Sequence, residues 1–200
     1  MLTVKRVEKI LDIVAKEYPS VKNKPIEITI KKFKPIWGCA TAPREYELLL
    51  SKNYDLGIDN NNRFVDLFLP YLKEEFGLDL SWFLADYQSA IDAIVLIHEI
   101  GHIIQTSEMF LNKDTLRRDW RKYVTESNKI YNDFREQFYL DDYKVKEKAY
   151  RQIPYEYKAD RVSVEIFNKY NVKLLSILTG KSQKELRAIR EEKLNVLQEA

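Results

Sequence analysis

The segment from residue 90 to residue 104 constrains the fold more than any other part of the chain. Almost every side chain in it is apolar, so a helix over these residues would have almost no polar face. A helix of that kind has to be buried. We predict that it begins near Ser89, whose side chain can cap it, and runs to about Thr106. The core is therefore expected to form around this helix.

The only two histidines of the chain lie in this predicted helix, at positions 98 and 102. Residues four apart on a helix lie on one face about 5–6 Å apart, so His98 and His102 can bind one ion. Glu99 lies one step around the helix, where it can take a proton from a metal-activated water. Two buried imidazoles without a metal would each need another partner. We therefore predict a catalytic site with one Zn²⁺ per chain.

The third zinc ligand is predicted to be a carboxylate, because a catalytic zinc takes three protein ligands and no further histidine exists. Glu156 is our candidate. Asp160 follows one turn later and can accept the other ring N–H of a liganding histidine. On spacing alone, this pair could equally be a solvated helix face. Glu126, Glu108 and the single cysteine, Cys39, are the competing ligands.

The sequence HEIGH on a hydrophobic helix, followed by IPYEYKAD at residues 153–160, resembles zincin metallopeptidases with a glutamate third ligand, or gluzincins. It is most similar to the ImmA/IrrE-type metallopeptidases of bacteria, phages and mobile elements. The resemblance implies a zincin-like fold and a protein or peptide substrate. It also implies that His98, His102 and Glu156 are the zinc ligands and that Glu99 is the general base.

The resemblance covers mainly residues 89–105 and 153–170. A weaker likeness at residues 38–51 matches the position where zincins place an edge strand beside the cleft, to which an extended peptide can add as a further strand. His102 and Glu156 are separated by 53 residues (103–155), so we expect a helical insertion over 106–150. Four residues near Glu156 are possible oxyanion donors: Tyr150, Arg151, Tyr155 and Tyr157.

The remaining patterns predict a single α+β domain over residues 1–200 that is mainly helical, with a small N-terminal sheet. Alternating isoleucines predict a strand at 26–30. The apolar residues Tyr46, Leu48, Leu49 and Leu50 predict a second strand at 46–50, with a turn at Trp37-Gly38-Cys39 between the two. Helices are predicted before Pro19, over 62–76 with Gly77 as terminator, once or twice within 113–150 on the outside of the core, and from about Pro154. C-terminal helices are expected over 171–200, one opening at a capping box from Ser182 to Glu185.

Charge and cysteine content restrict the partners and the compartment. The 33 Lys and Arg residues nearly balance 31 Asp and Glu, and the net charge of +2 favours neither nucleic acid nor an acidic membrane. The single cysteine and the charged N-terminal segment favour a cytoplasmic protein. Two alternatives stay open. One is a catalytically silent zinc-containing module that binds proteins, and the other is a DNA-linked regulator with a helix-turn-helix-like segment at 174–193.

Overall fold

The computed structural model describes residues 2–22, 25–31, 38–41, 46–51, 67–109, 116–139 and 142–199. These residues are mainly helical and include one small sheet, as predicted. The helices are α1 (Val4–Glu17), α2 (Leu69–Phe76), α3 (Tyr87–Met109), α4 (Leu116–Gln137), α5 (Tyr143–Arg151), α6 (Pro154–Thr179) and α7 (Gln183–Glu199). Two short 3-10 turns lie at Pro19–Val21 and Leu80–Leu84.

The sheet has three strands in the order β1-β3-β2, namely β1 (Ile26–Lys31), β2 (Gly38–Thr41) and β3 (Tyr46–Ser51). Strands β1 and β3 are parallel and confirm the two predicted strands, whereas β2 pairs antiparallel with β3. The predicted turn at 37–39 is therefore wrong at Gly38 and Cys39, which belong to β2. Trp37 lies outside the described residues. The edge strand β2 packs against α3.

Helix α3 lies at the centre of the core and packs along α6, with α1 and the sheet around it. This confirms the predicted buried helix, but its ends differ from the prediction. The Oδ1 of Asp86 accepts a hydrogen bond from the Ser89 backbone N–H at 3.0 Å, so Asp86 caps the helix and Ser89 lies inside it. At the other end the helix continues past Thr106 to Met109, into the range expected for the insertion.

The other helix ends follow local rules of sequence. Helix α2 begins so that Pro70 lies in its first turn, where a proline is tolerated, and ends at Gly77 with φ of 71°. Residues 62–66 of that predicted helix lie outside the described residues. Helix α6 begins at Pro154 as predicted and runs to Thr179, so no new helix begins at residue 171. Gly180, with φ of 83°, ends it.

Helix α7 folds back onto the rest of the domain. Its capping box is confirmed, because the Ser182 backbone N–H donates to Glu185 Oε2 at 2.7 Å and the Glu185 N–H donates to Ser182 Oγ at 3.2 Å. Leu186 is buried, and the Arg190 guanidinium lies 4.6 Å from the centre of the Trp82 ring. One or two helices are predicted in the segment 113–150, and its described residues form two, α4 and α5. None of the described helices is long and apolar enough to cross a membrane.

Candidate metal site

Helix α3 carries His98, Glu99 and His102 in the part of the molecule where it packs against α6. The spacing of four residues places both imidazoles on one face, and their Nε2 atoms lie 3.2 Å apart. His98 and Glu99 are buried, whereas His102 is partly exposed. The two rings therefore turn the same nitrogen toward one point at the edge of the core.

Glu156, in the first turn of α6, completes this cluster. Its Oε2 lies 3.3 Å from His98 Nε2 and 3.7 Å from His102 Nε2, and its side chain is only 4% exposed. The first turn of a helix favours a carboxylate, because the unpaired backbone N–H groups there carry partial positive charge. The three ligand atoms lie within 4.8 Å of one another and can hold a metal ion.

Two of the competing ligands, Glu126 and Glu108, are not part of this cluster. Glu126 lies on α4, where its side chain is 53% exposed and its Oε1 lies 3.8 Å from Lys122 Nζ. Glu108 is exposed near the end of α3. Cys39 lies in β2, and its side chain is outside the part of the chain that the structure describes. Of the carboxylates proposed from the sequence, the structure brings Glu156 to the histidines.

The close approach of α3 and α6 depends on Gly101 and Ala159. A Cβ atom at Gly101 would lie 2.9 Å from the Ala159 Cα and 3.2 Å from its Cβ, closer than real Cβ atoms pack. A hydrogen bond also joins the two helices one turn further on, where Gln105 Nε2 donates to the Tyr155 carbonyl at 2.9 Å. No role for Gly101 was predicted from the sequence, although a glycine inside a buried helix often indicates such a contact.

Asp160, fully buried one turn after Glu156, lies behind His98 as predicted. Its Oδ1 is 2.7 Å from His98 Nδ1, which directs Nε2 of the same ring toward Glu156. Nη1 of Arg151 lies 3.3 Å from that oxygen, and Nε of Arg151 donates to Glu147 at 2.8 Å. The guanidinium also stacks 4.1 Å from the centre of the Phe68 ring. Asp160 is thus held between an imidazole and a guanidinium.

Charge and burial shift the pKa values of the two histidines in opposite directions and lower that of Glu156. Burial acts to lower the pKa of His98, but the charge of Asp160 and the contacts with Asp160 and Glu156 outweigh it and raise that pKa to about 10. Burial and then the charge of His98 lower the pKa of His102 to about 4. Burial acts to raise the pKa of Glu156, but the two imidazoles hold it well below its usual range. Glu156 therefore stays ionised at neutral pH.

A cavity of about 210 Å³ opens onto the cluster. Its lining consists of His98, Glu99 and Glu156 together with Phe68, Val95, Tyr150 and Arg151. Two of the predicted oxyanion donors, Tyr150 and Arg151, thus face the cavity. Tyr157 does not, because its hydroxyl donates to Glu75 Oε1 at 2.7 Å, and Tyr155 contributes its carbonyl to Gln105 without lining the cavity.

Tyr131, on α4, is a site residue that was not predicted from the sequence. Its hydroxyl donates to Glu156 Oε1 at 2.6 Å. In the sequence it is one of several aromatic residues spaced along a highly charged segment, and that pattern indicates only a helix with one apolar side. Nothing local connects it to a carboxylate 25 residues away.

The donor set and the charge of the site fit a divalent cation. Two imidazole nitrogens and one carboxylate oxygen form the ligand set of many catalytic zinc sites. Three carboxylates lie in the buried part of the site (Glu99, Glu156 and Asp160) against one guanidinium, so the formal charge with neutral imidazoles is −3 + 1 = −2. Glu147, which also pairs with Arg151, is more exposed, at 18%. A divalent cation would offset this charge in a place where unpaired ions are costly.

Comparisons of the chain with protein-family models, with curated proteins and with solved structures found no match. The resemblance to ImmA/IrrE-type metallopeptidases therefore stays a prediction from the HEIGH and 153–160 segments. The chemistry of the site has to be argued from its own geometry.

Proposed function

We propose that this protein is a zinc-dependent metallopeptidase of the zincin type with a glutamate third ligand. The convergence of His98, His102 and Glu156, with Glu99 facing the same cavity, is the observation that carries the proposal. Structural zinc sites are usually closed by four protein ligands, whereas catalytic sites have three and an open position. Within the described residues the cluster has three such ligands, and Glu99, the proposed general base, lines the cavity beside them.

Each residue of the site has a separate role in the proposed reaction. His98, His102 and Glu156 would hold the ion, and zinc bound there would polarise a substrate carbonyl and make water more acidic. Glu99 accepts the proton of the attacking water and later passes it to the leaving amine. Tyr150 and Arg151 line the cavity and are the candidates for donating hydrogen bonds to the carbonyl oxygen as negative charge develops on it.

The position of β2 supports a peptide as the substrate. This strand lies at an edge of the sheet, antiparallel to β3, and packs against the helix that carries the histidines. Within the described residues its other side pairs with no strand, so an extended peptide could bind there through backbone hydrogen bonds. An ImmA/IrrE-type activity, an origin in bacteria, phages or mobile elements and a cytoplasmic location stay predictions.

Metal analysis tests the first part of this proposal. We expect about one zinc per chain in the native protein and none in His98→Ala, because each imidazole supplies one of only three protein ligands. The Asn128→Ala variant, at an exposed position on α4, is the matched control and should keep its zinc. A folded native protein that takes up no zinc when zinc is supplied would overturn the proposal.

Cleavage of a denatured-protein library by zinc-loaded protein tests the second part. Glu99→Gln should keep the zinc and lower cleavage by roughly 10²–10⁴-fold, the usual contribution of a general base. Asp92→Asn, on the same helix but away from the cavity lining, should cleave at the native rate. If zinc-loaded native protein cleaves nothing, the catalytically silent binding module replaces the peptidase.

A further inference from the structure

Among the described side chains of helix α4, that of Tyr131 reaches the metal cluster. Its hydroxyl lies 2.6 Å from Glu156 Oε1, and its ring packs 6.3 Å from the ring of Tyr150, centre to centre. A hydrogen bond of this length from a hydroxyl to an ionised carboxylate is of the short, charge-assisted kind. The described side chains of this helix are mostly exposed to solvent.

The two oxygens of Glu156 have different partners. Oε2 faces the two imidazole nitrogens, at 3.3 Å and 3.7 Å, whereas Oε1 accepts the hydrogen bond from Tyr131. A carboxylate that offered both oxygens to a metal would occupy the position that a catalytic zinc keeps open. The hydrogen bond from Tyr131 engages the other oxygen, Oε1. It therefore favours binding of the metal through Oε2 alone.

We propose that Tyr131 is a positioning residue that holds Glu156 as a one-oxygen metal ligand, so that the segment between the histidines and Glu156 forms part of the metal site. This inference rests on the proposed function, because it requires Glu156 to bind the metal. It gives the expected insertion a role beyond covering the core. It also identifies the residue through which a change in the position of α4 would alter metal affinity.

The loss of zinc affinity expected in Tyr131→Phe can be estimated from other residues that hydrogen-bond to metal ligands. Removing a hydrogen bond that orients a ligand typically costs 10–100-fold in metal affinity or activity. Phenylalanine at position 131 keeps the ring that packs beside Tyr150 and removes only the hydroxyl. A loss of this size in Tyr131→Phe would thus come from the missing hydrogen bond to Glu156 Oε1.

The test compares Tyr131→Phe with Tyr139→Phe in the full chain. Tyr139 lies just beyond the end of α4 with 76% of its surface exposed, so it controls for the loss of a hydroxyl near this helix. Zinc affinity is measured by competition with a chromogenic chelator. The protein loaded with Co²⁺ is then examined by visible absorption, which reports the number and arrangement of ligands.

We expect Tyr131→Phe to bind zinc about 10–100-fold more weakly than native protein and to shift the visible bands of Co²⁺. Tyr139→Phe should match native protein in both. The inference is overturned if Tyr131→Phe keeps native zinc affinity. It is also overturned if affinity falls while the Co²⁺ spectrum is unchanged, because the loss would then come from stability and not from ligand orientation. Absence of zinc binding in native protein would instead reject the proposed function and this inference together.

Discussion

Helices α3 and α6 position the site in a different way from helices α4 and α5. The first pair is buried, and its backbones approach so closely that a side chain at Gly101 would collide with Ala159. In the second pair none of the described residues is fully buried, and the side chains of Tyr131, Tyr150 and Arg151 extend from these helices toward the site. Both pairs therefore contribute atoms to one cavity by different means.

This difference indicates which part of the site is rigid. The three metal-ligand candidates lie on helices whose positions are set by backbone packing, and that arrangement holds reactive groups more precisely than long side chains can. Tyr131 instead donates a hydrogen bond to the candidate ligand Glu156, and Arg151 donates one to Asp160, which contacts His98. Variants in the two regions should therefore differ in kind as well as in size.

The largest contrast is expected between two carboxylates, one from each region. Glu156→Ala removes a metal ligand. It should weaken zinc binding by more than roughly 100-fold, the largest loss typical of residues that only hydrogen-bond to a ligand. Glu126→Ala, on the exposed face of α4, should leave zinc binding unchanged. Chelator competition measures both. Equal zinc affinities of the two variants would mean that Glu156 is not the third ligand.

A large loss of stability is expected at the end of α5. Arg151→Met leaves the buried Asp160 carboxylate without its guanidinium, and breaking a buried ion pair typically costs about 3–5 kcal/mol. We expect the lower end, about 3 kcal/mol, because His98 still contacts Asp160. Urea denaturation of metal-free protein measures the free energy of unfolding. The control Arg135→Met, at an exposed position on α4, should change the free energy of unfolding by about 0.5 kcal/mol or less. An equally small change in Arg151→Met would mean that α5 only covers the core.

A smaller loss is expected where α3 and α6 touch. Alanine usually stabilises a helix by about 1 kcal/mol relative to glycine, but at Gly101 the added methyl group meets the Ala159 backbone. Overpacking costs about 1–3 kcal/mol, so Gly101→Ala should lower the free energy of unfolding and weaken zinc binding as the helices separate. Asn128→Ala on α4 introduces the same residue at an exposed position and should do neither. A stabilised Gly101→Ala would show that the helices can separate without cost.

The smallest effect is expected at Asp92 on α3, and it depends on pH. Burial raises the pKa of Asp92, and the hydrogen bond from Gln88 only partly offsets this. The folded state disfavours the ionised form of Asp92, so its folded-state pKa lies above the unfolded value. Stability is therefore lost as the pH rises from the unfolded pKa through the folded-state pKa. Asp92→Asn should therefore melt at a higher temperature than native protein at pH 7. The gain should vanish below the ordinary pKa of 3.8.

Asp133→Asn, at an exposed position on α4, is the control for the Asp92 prediction. Its melting temperature should match that of native protein at both pH values. If Asp92→Asn and Asp133→Asn shift the melting temperature alike, burial on α3 has no special effect on the carboxyl group.

Several elements were predictable because their causes are local. The apolar run predicts α3, Pro154 predicts the start of α6, and Ser182 with Glu185 predicts the cap of α7. Other features were not predictable in this way. Asp86 and Ser89 are both good capping residues, so only the backbone path decides between them. The short strand β2 exists because β3 pairs with it, and such pairing is not encoded within four residues.

The sequence by itself determined that His98 and His102 share a face of a buried helix, because residues four apart lie together on any α-helix and an apolar helix has to be covered. It also limited the third ligand to a carboxylate or Cys39. Only the tertiary structure decided that Glu156 meets the histidines and that Tyr131 holds its other oxygen. Those contacts depend on how α6 and α4 pack against α3, and packing between distant segments leaves no local pattern in the sequence.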